Sequence, residues 1–325
     1  MEIEIRRVDW KFRVPFRTSQ RTRTHAQTVV LELKDGPFVG RGEAQGVSYH
    51  GETADSLADQ LAAVADSLKQ GASREEVQRV IPAGGARNAL DCALWDLEAK
   101  RMGYRAWRIA GMESVRPLLT AYTLSMDAPA EMGQSAAAVR HYSLLKIKLS
   151  GEGDLERVTA VREACPHASL IVDANQAWNE TQLHEFTRRL FPLGVKLIEQ
   201  PLPAGNDEAL REFTSEIPLC ADESCQTTES LPSLVGKYHY INIKLDKTGG
   251  LTEALRLANE ARQAGLKLMV GCMAGSSLSM APAFVVGQLC DVVDLDGPLL
   301  MEHDMPHAIR YDGGQMFAPE PGLWG

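Results

Sequence analysis

Six cysteines (Cys92, Cys165, Cys220, Cys225, Cys272 and Cys290) are all the thiols in this 325-residue chain. They are too few and too scattered to form a disulfide framework in a chain of this size. Cys220 and Cys225 lack a second Cys or His pair at zinc spacing, so the thiols read as small buried hydrophobes. Basic charge is also scarce, with 34 Lys and Arg against 43 Asp and Glu for a net charge of −9. A nucleic-acid partner needs a basic surface, and this balance argues against one. The first 23 residues run the other way, with Arg6, Arg7, Lys11, Arg13, Arg17, Arg21 and Arg23 against Glu2, Glu4 and Asp9. A transit peptide would be poor in acids, whereas Glu2-Ile3-Glu4-Ile5 alternates as a strand does. No signal-peptide pattern opens the chain, so a reducing cytoplasm is expected. One long uncharged run exists, residues 268–290, and about 20 such residues can span a bilayer. Gly271, Gly275, three serines, Pro282 and Gly287 break it into a strand, a loop and a short helix, so no membrane partner is expected.

What is present is ordinary in bulk and informative in order. With 44% hydrophobic and 24% charged residues, the chain has enough apolar side chains for a sizeable core. Its length suggests two domains or one large barrel with an addition. Residues 1–114 read as α+β: strand-like stretches at 2–8 and 28–33, a Gly-rich segment at Gly40-Arg41-Gly42-Glu43, and helical patterns at 55–68, 75–80 and 86–100. The last places Ala86, Leu90, Ala93, Leu94 and Leu97 on one stripe. From about 116 short apolar runs alternate with helical stretches, centred near 121, 146, 171, 197, 219, 242, 269 and 293. Eight such units predict a parallel, closed (β/α)-type barrel over 115–299. After Gly297-Pro298 the tail, 300–325, has little helical pattern and is expected to pack back onto the N-terminal domain.

The strand ends carry the chemistry. Leu145-Lys146-Ile147-Lys148-Leu149 and Asn242-Ile243-Lys244-Leu245-Asp246 alternate apolar and charged residues, and alternate side chains of a strand share a face. Between them three apolar runs each end in a carboxylate, at Asp173, Glu199 and Asp222, spaced one βα unit apart. Active sites of such barrels lie at the C-terminal strand ends, so three neighbouring strands present three acids at one rim. Oxygen-only ligands favour a hard cation, with Mg²⁺ the default. Lys146 and Lys148 approach from one side and Lys244 from the other. A nearby ammonium and a divalent cation are expected to lower a lysine toward the roughly 7–8 useful for a base.

These marks, Lys146-x-Lys148, Asp173-x-Asn175, Glu199-Gln200-Pro201, Asp222-Glu223-Ser224 and Lys244-x-x-Lys247-x-Gly249-Gly250, resemble the enolase superfamily in its muconate-lactonising-enzyme-like subgroup. The helix Ala89-Leu90-Asp91-Cys92-Ala93-Leu94-Trp95-Asp96 resembles that family's N-terminal domain helix. The resemblance implies a modified TIM barrel, (β/α)7β, with an α+β capping domain. It also implies one Mg²⁺ on Asp173, Glu199 and Asp222, which chelates a substrate carboxylate and stabilises an enediolate. Lys148 and Lys244 are then the two bases, one for each face of the α-carbon. Lys146 tunes Lys148 or contacts the carboxylate, and Asn175 and Glu223 orient the ligands.

Asp294-Leu295-Asp296 at the eighth strand puts two acids on one face, which would repel unless a cation lay between them. The pair resembles that of the dipeptide epimerases, where it receives the substrate's free ammonium; Thr123 on the first strand is grouped with it as substrate-binding. Overall similarity points to L-Ala-D/L-Glu epimerases of muropeptide recycling, so a dipeptide is the expected small-molecule partner. N-acylamino-acid racemases and cycloisomerases of the same superfamily are the alternative. A non-catalytic metal-binding homologue is opposed by the full set of acids and bases. The resemblance implies two lid loops over the barrel mouth, mapped to about 17–26 and 46–52, and Arg17, Arg21 and Arg23 in the first favour an anionic side chain on the substrate. Oligomeric state, including a homo-oligomer, is left open.

Overall fold

The computed structural model describes residues 1–69 and 71–325. The N-terminal part is an antiparallel three-stranded sheet in sequence order, Glu2–Arg17, Thr22–Asp35 and Phe38–Ala44. The first two strands run well past the expected 2–8 and 28–33. Trp10 and Phe12 are buried while Lys11 and Arg13 point outward, so the alternation that marks a strand continues beyond Val8. Register shifts between Lys11 and Phe16. The presumed loop at 17–26 is thus mostly the end of a long hairpin, and only residues 18–21 turn.

Val29, Leu31 and Leu33 pack one sheet face against helices Ala54–Lys69 and Gly85–Met102. The Gly-rich segment is the third strand, and its glycines have a packing reason. A Cβ on Gly40 would lie 2.2 Å from the Ala93 carbonyl oxygen, and one on Gly42 2.0 Å from that of Ala89.

Eight parallel strands follow, Tyr122–Leu124, Leu144–Lys148, Ser169–Asp173, Val195–Glu199, Leu219–Ala221, Tyr240–Ile243, Lys267–Val270 and Val292–Val293, in sequence order around the sheet. Thr120 bridges Val293, and the Ala121 amide donates to the Val293 carbonyl at 2.9 Å, which closes the barrel. This is the modified (β/α)7β barrel with a capping domain. Helices Pro129–Ala138, Asp154–Ala164, Glu180–Leu190, Leu251–Gln263 and Ser277–Gly287 fill five connections. The connections after the fourth and fifth strands hold less helix: the first has a 3-10 turn, Glu208–Arg211, and the second a 3-10 turn, Thr228–Ser230, running into a one-turn helix, Leu231–Leu234.

Outward residues such as Leu145, Ile147, Val172, Ile198 and Ile243 form the core under the helices. Ile171, Leu197, Cys220 and Met269 fill the barrel interior as a separate apolar layer. Two residues further along their strands, the same face carries Asp173, Glu199 and Asp222, because strand side chains alternate.

Cap and barrel join at the segment that follows Lys244. Arg87, on the cap helix, donates to the carbonyls of Thr248 (2.7 Å) and Gly249 (3.1 Å). Asp91 accepts from the Thr252 amide (2.9 Å) and hydroxyl (2.6 Å). Gly249 and Gly250 have positive φ, and a Cβ there would strike Arg87 and Asp91 respectively. The tail first pairs Gln315–Met316 with Leu118–Leu119, just before the first barrel strand, and its end returns to the cap: buried Trp324 donates to the Cys92 carbonyl at 3.0 Å, and the Gly325 amide donates to Asp96 at 2.6 Å. Among the described residues, no helix is long and apolar enough to cross a membrane. All six thiols are free.

Candidate active site

Asp173, Glu199 and Asp222 each offer a carboxylate oxygen within 4.8 Å of the others, all buried. Two lysines flank them. Lys148 Nζ donates to Asp173 Oδ2 at 2.6 Å, and Lys244 Nζ to Asp222 Oδ2 at 2.7 Å. Around the rim the order is Lys148, Asp173, Glu199, Asp222, Lys244, so the two ammonium groups stand at opposite ends of the acid row. Gly271 keeps room for this: a Cβ there would lie 3.0 Å from Lys244 Cε and 2.7 Å from Asn242 Oδ1.

Lys146 sits in the middle of the acids. Its Nζ is 2.7 Å from Glu199 Oε2, 3.2 Å from Asp173 Oδ2 and 2.7 Å from Asp294 Oδ2. It is the cation beside Asp294, so the two acids of the eighth strand are not an unpaired couple. Asp296 accepts the Thr123 amide at 2.6 Å, and Thr123 Oγ1 reaches Asp294 at 3.4 Å.

Charge balance follows from these contacts. Burial disfavours the Lys146 ammonium, but Asp294, Glu199, Asp173 and Asp222 outweigh it and hold its pKa well above the ordinary range. Burial likewise opposes the Lys244 charge, and Asp222 and Glu199 raise it above ordinary. The carboxylates facing these lysines outnumber the like charges, whereas the lowering expected from sequence is that of a lysine beside a bound divalent cation. Lowering requires a cation to offset the acids. Asp222 is pulled well below the usual carboxylate range, since Lys244 and Lys247 overcome its burial. Burial pushes Glu199 up, and neighbouring Asp173 adds to it.

The donor set fits a hard cation. Glu199 Oε2 lies close to Lys146 Nζ but lacks a directional hydrogen bond, and Asn175 Oδ1 and Glu223 Oε2 are buried without a partner. Buried acceptors without donors are what a bound ion or substrate would satisfy. Three carboxylates with room for further oxygen ligands match Mg²⁺ chemistry better than zinc or a soft metal.

Backbone geometry re-aims the rim. Asn175 (φ 45°), Gln176 (68°) and Gln200 (36°) occupy the left-handed region, sparsely populated by non-glycine residues. The Asn175 amide donates to Asp173 Oδ1 at 3.0 Å, and Gln200 Oε1 accepts the amides of Asp222 (2.9 Å) and Ser224 (3.1 Å). Asn175 Nδ2 and Glu223 Oε1 are 3.5 Å apart.

A cavity above the acids is lined by Lys146, Lys148, Lys244, Thr123, Asn175, Glu223, Asp294 and Asp296, and from the cap by Phe12, Phe16, Arg21, Arg23, Ser48 and Tyr49. Arg23 has no carboxylate partner among the described residues. Its guanidinium lies 5.7 Å from the Phe12 ring centre and 5.9 Å from that of Phe16; burial and the charge of Arg21 lower its pKa to about 10. Arg21 donates to Ser48 Oγ at 2.6 Å. Arg17, expected with them, instead pairs with Asp127 at 2.5 Å and does not line this cavity.

Two holding groups escaped the sequence reading. Asn242 Nδ2 donates to Glu199 Oε1 at 2.8 Å, and Lys247 Nζ to Asp222 Oδ1 at 2.7 Å. Asn242 stands two residues before Lys244, so the alternation that singled out the lysine also placed the asparagine on its face.

Comparison with known proteins agrees with this geometry. Residues 1–111 match the mandelate racemase / muconate lactonizing enzyme N-terminal domain, and residues 130–323 match the enolase C-terminal domain-like family. The chain belongs to the enolase superfamily, in its muconate-lactonising-enzyme-like subgroup. Its kin there are isomerases of dipeptides and amino acids. It is 42% identical over 309 residues to an L-Ala-D/L-Glu epimerase of Escherichia coli, covering 94% of this chain and 96% of that protein. It is 44% identical over 299 residues to an N-acetyl-D-glutamate racemase of Pseudoalteromonas, covering 91% and 95%. A crystal structure of an Agrobacterium tumefaciens enolase family member with homology to dipeptide epimerases, bound to sodium and L-Ala-L-Glu, superposes with a TM-score of 0.97 at 43% identity, covering 99% of each chain.

Proposed function

We propose that the protein is a Mg²⁺-dependent dipeptide epimerase that interconverts L-Ala-L-Glu and L-Ala-D-Glu. The observation that carries this reading is the rim order, with Lys148 and Lys244 bonded to different outer acids of one triad. Asp173, Glu199 and Asp222 would hold one Mg²⁺, which would supply positive charge to stabilise an enediolate formed at the substrate carboxylate. Lys148 and Lys244 serve opposite faces of the α-carbon: one takes the proton and the other delivers one, so the centre inverts. Lys146 holds Asp294 and Glu199 in place, and Asn242 and Lys247 orient Glu199 and Asp222. Asp294 and Asp296 receive the dipeptide's ammonium, and Arg23, without a carboxylate partner among the described residues, reads the glutamate side chain. We place the protein in the cytoplasm, which its six free thiols support. Its proposed role in recycling murein peptides rests on the kinship with L-Ala-D/L-Glu epimerases.

A second reading has its own support, since N-acetyl-glutamate carries the same side chain with a capped amine and a relative at 44% identity is named for it. The two separate at Asp294 and Asp296. Each substrate is incubated with enzyme and Mg²⁺ and its chirality followed. Under the dipeptide reading, L-Ala-L-Glu is turned over with the higher kcat/KM, and D294N and D296N weaken it selectively. Faster turnover of N-acetyl-glutamate, untouched by both changes, would establish the racemase instead.

A further inference from the structure

Asp246 is buried two residues beyond Lys244 and has no cationic partner among the described residues. Its Oδ1 accepts the backbone amides of Gln45 at 3.0 Å and Gly46 at 2.7 Å. The next amide, of Val47, goes to Glu52 Oε2 at 2.6 Å, and Glu52 also takes the Gly85 amide at 3.1 Å to each oxygen. Three successive amides at the start of one cap segment are therefore held by two acids, one on the barrel and one on the cap.

That segment brings Ser48 and Tyr49 to the cavity. Its course is tightly constrained: Gly46 has φ 81°, and a Cβ there would lie 3.0 Å from Glu52 Cβ and 3.1 Å from Leu57 Cδ1. On the barrel side Asp246 belongs to the short turn Leu245–Thr248, whose Lys247 holds Asp222. Lys244 opens that turn, so whatever fixes Asp246 refers the cap segment to the base.

We propose that Asp246 is a positioning residue for the reaction, fixing the cap segment 45–49 relative to Lys244 so that substrate affinity depends on it and proton transfer does not. The kinetic part rests on the epimerase reading; the placement of the segment does not. Carboxylate-to-amide hydrogen bonds are charge-assisted and strong, so their loss is expected to weaken substrate binding roughly ten- to a hundredfold.

The test joins steady-state kinetics with L-Ala-L-Glu to amide hydrogen exchange in the full-length enzyme. D246A should raise KM by that factor with kcat within about threefold, the pattern of lost uniform binding. D246N keeps a neutral acceptor oxygen and should raise KM less. Amides 45–47 should exchange faster in D246A while strand 240–243 exchanges as in the parent and Mg²⁺ affinity is kept. Parent-like KM and parent-like exchange at 45–47 would overturn the proposal, as would kcat and Mg²⁺ affinity falling with exchange unchanged. If D246A does not fold, D246N decides, and parent values in both measurements count against it. A parent enzyme inert toward the dipeptide would sink the epimerase reading alone, because the exchange measurement needs no substrate.

Discussion

Lys146 Nζ lies 2.7 Å from Asp294 Oδ2, joining the second barrel strand to the residue that follows the eighth. The same ammonium contacts Glu199 and Asp173, so one buried charge neutralises acids from both halves of the site. Lys146→Met leaves these acids facing one another. Removing one partner of a buried ion pair costs about 3–5 kcal/mol, a fall in melting temperature of roughly 4–7 °C for a chain of this length. Mg²⁺ should recover part of the loss. A melting temperature within a degree of the parent, with or without Mg²⁺, would contradict the central placement of Lys146.

Glu199→Gln removes one charge from the triad while keeping the side-chain shape. Mg²⁺ titrated into this variant, followed by calorimetry, should bind at least tenfold more weakly than to the parent, because a neutral amide is a poor ligand for a hard cation. EDTA should abolish turnover in the parent and excess Mg²⁺ restore it. Full activity in chelated enzyme would remove the metal from the account.

Arg23→Met keeps the apolar stem against Phe12 and Phe16 and deletes the charge. The ratio of kcat/KM for L-Ala-L-Glu to that for L-Ala-L-Leu should fall roughly ten- to a hundredfold, the worth of a charge-assisted contact. Arg17→Met, whose parent residue pairs with Asp127, should leave the ratio unchanged. If the Arg17 change alone erases the preference, the assignment of the two arginines is reversed.

Asp91 makes stability depend on pH. Burial raises its carboxyl from 3.8 to about 6, so between these values the folded chain binds more protons at this group than the unfolded chain. Stability from this group is therefore full below about 4 and is lost as pH rises through about 6. Asp91→Asn cannot titrate, and urea melts of parent and variant between pH 4 and 7 should show the parent losing stability relative to the variant. Parallel curves would mean that Asp91 titrates alike in both states.

The barrel and the three acids at its rim are legible because each depends on local alternation. Strand period two put Lys146 with Lys148, and it put Asp173, Glu199 and Asp222 at the ends of apolar runs. The hairpin runs past 2–8 because Trp10 and Phe12, alternating with Lys11 and Arg13, carry the strand pattern beyond Val8. That the Gly-rich segment is a strand is not legible locally, since the helix carbonyls that exclude a side chain at Gly40 and Gly42 come from residues about fifty positions away. The Lys146–Asp294 pair spans 148 residues, and nothing in local sequence announces such a contact. Arg17 and Arg23 were indistinguishable by composition; only the position of Asp127 separates them.

The central claim is that two lysines serve opposite faces of one carbon, and proton exchange in heavy water tests it most directly. Lys148→Ala and Lys244→Ala are each incubated with Mg²⁺ and with L-Ala-L-Glu or L-Ala-D-Glu, and the α-proton signal is followed by NMR. Each variant should lose interconversion by roughly 10²–10⁴-fold, the usual worth of a positioned acid or base. Each should still exchange the α-proton of one epimer, a different one for each variant. Interconversion of both epimers by Lys244→Ala at near the parent rate would contradict the two-base account.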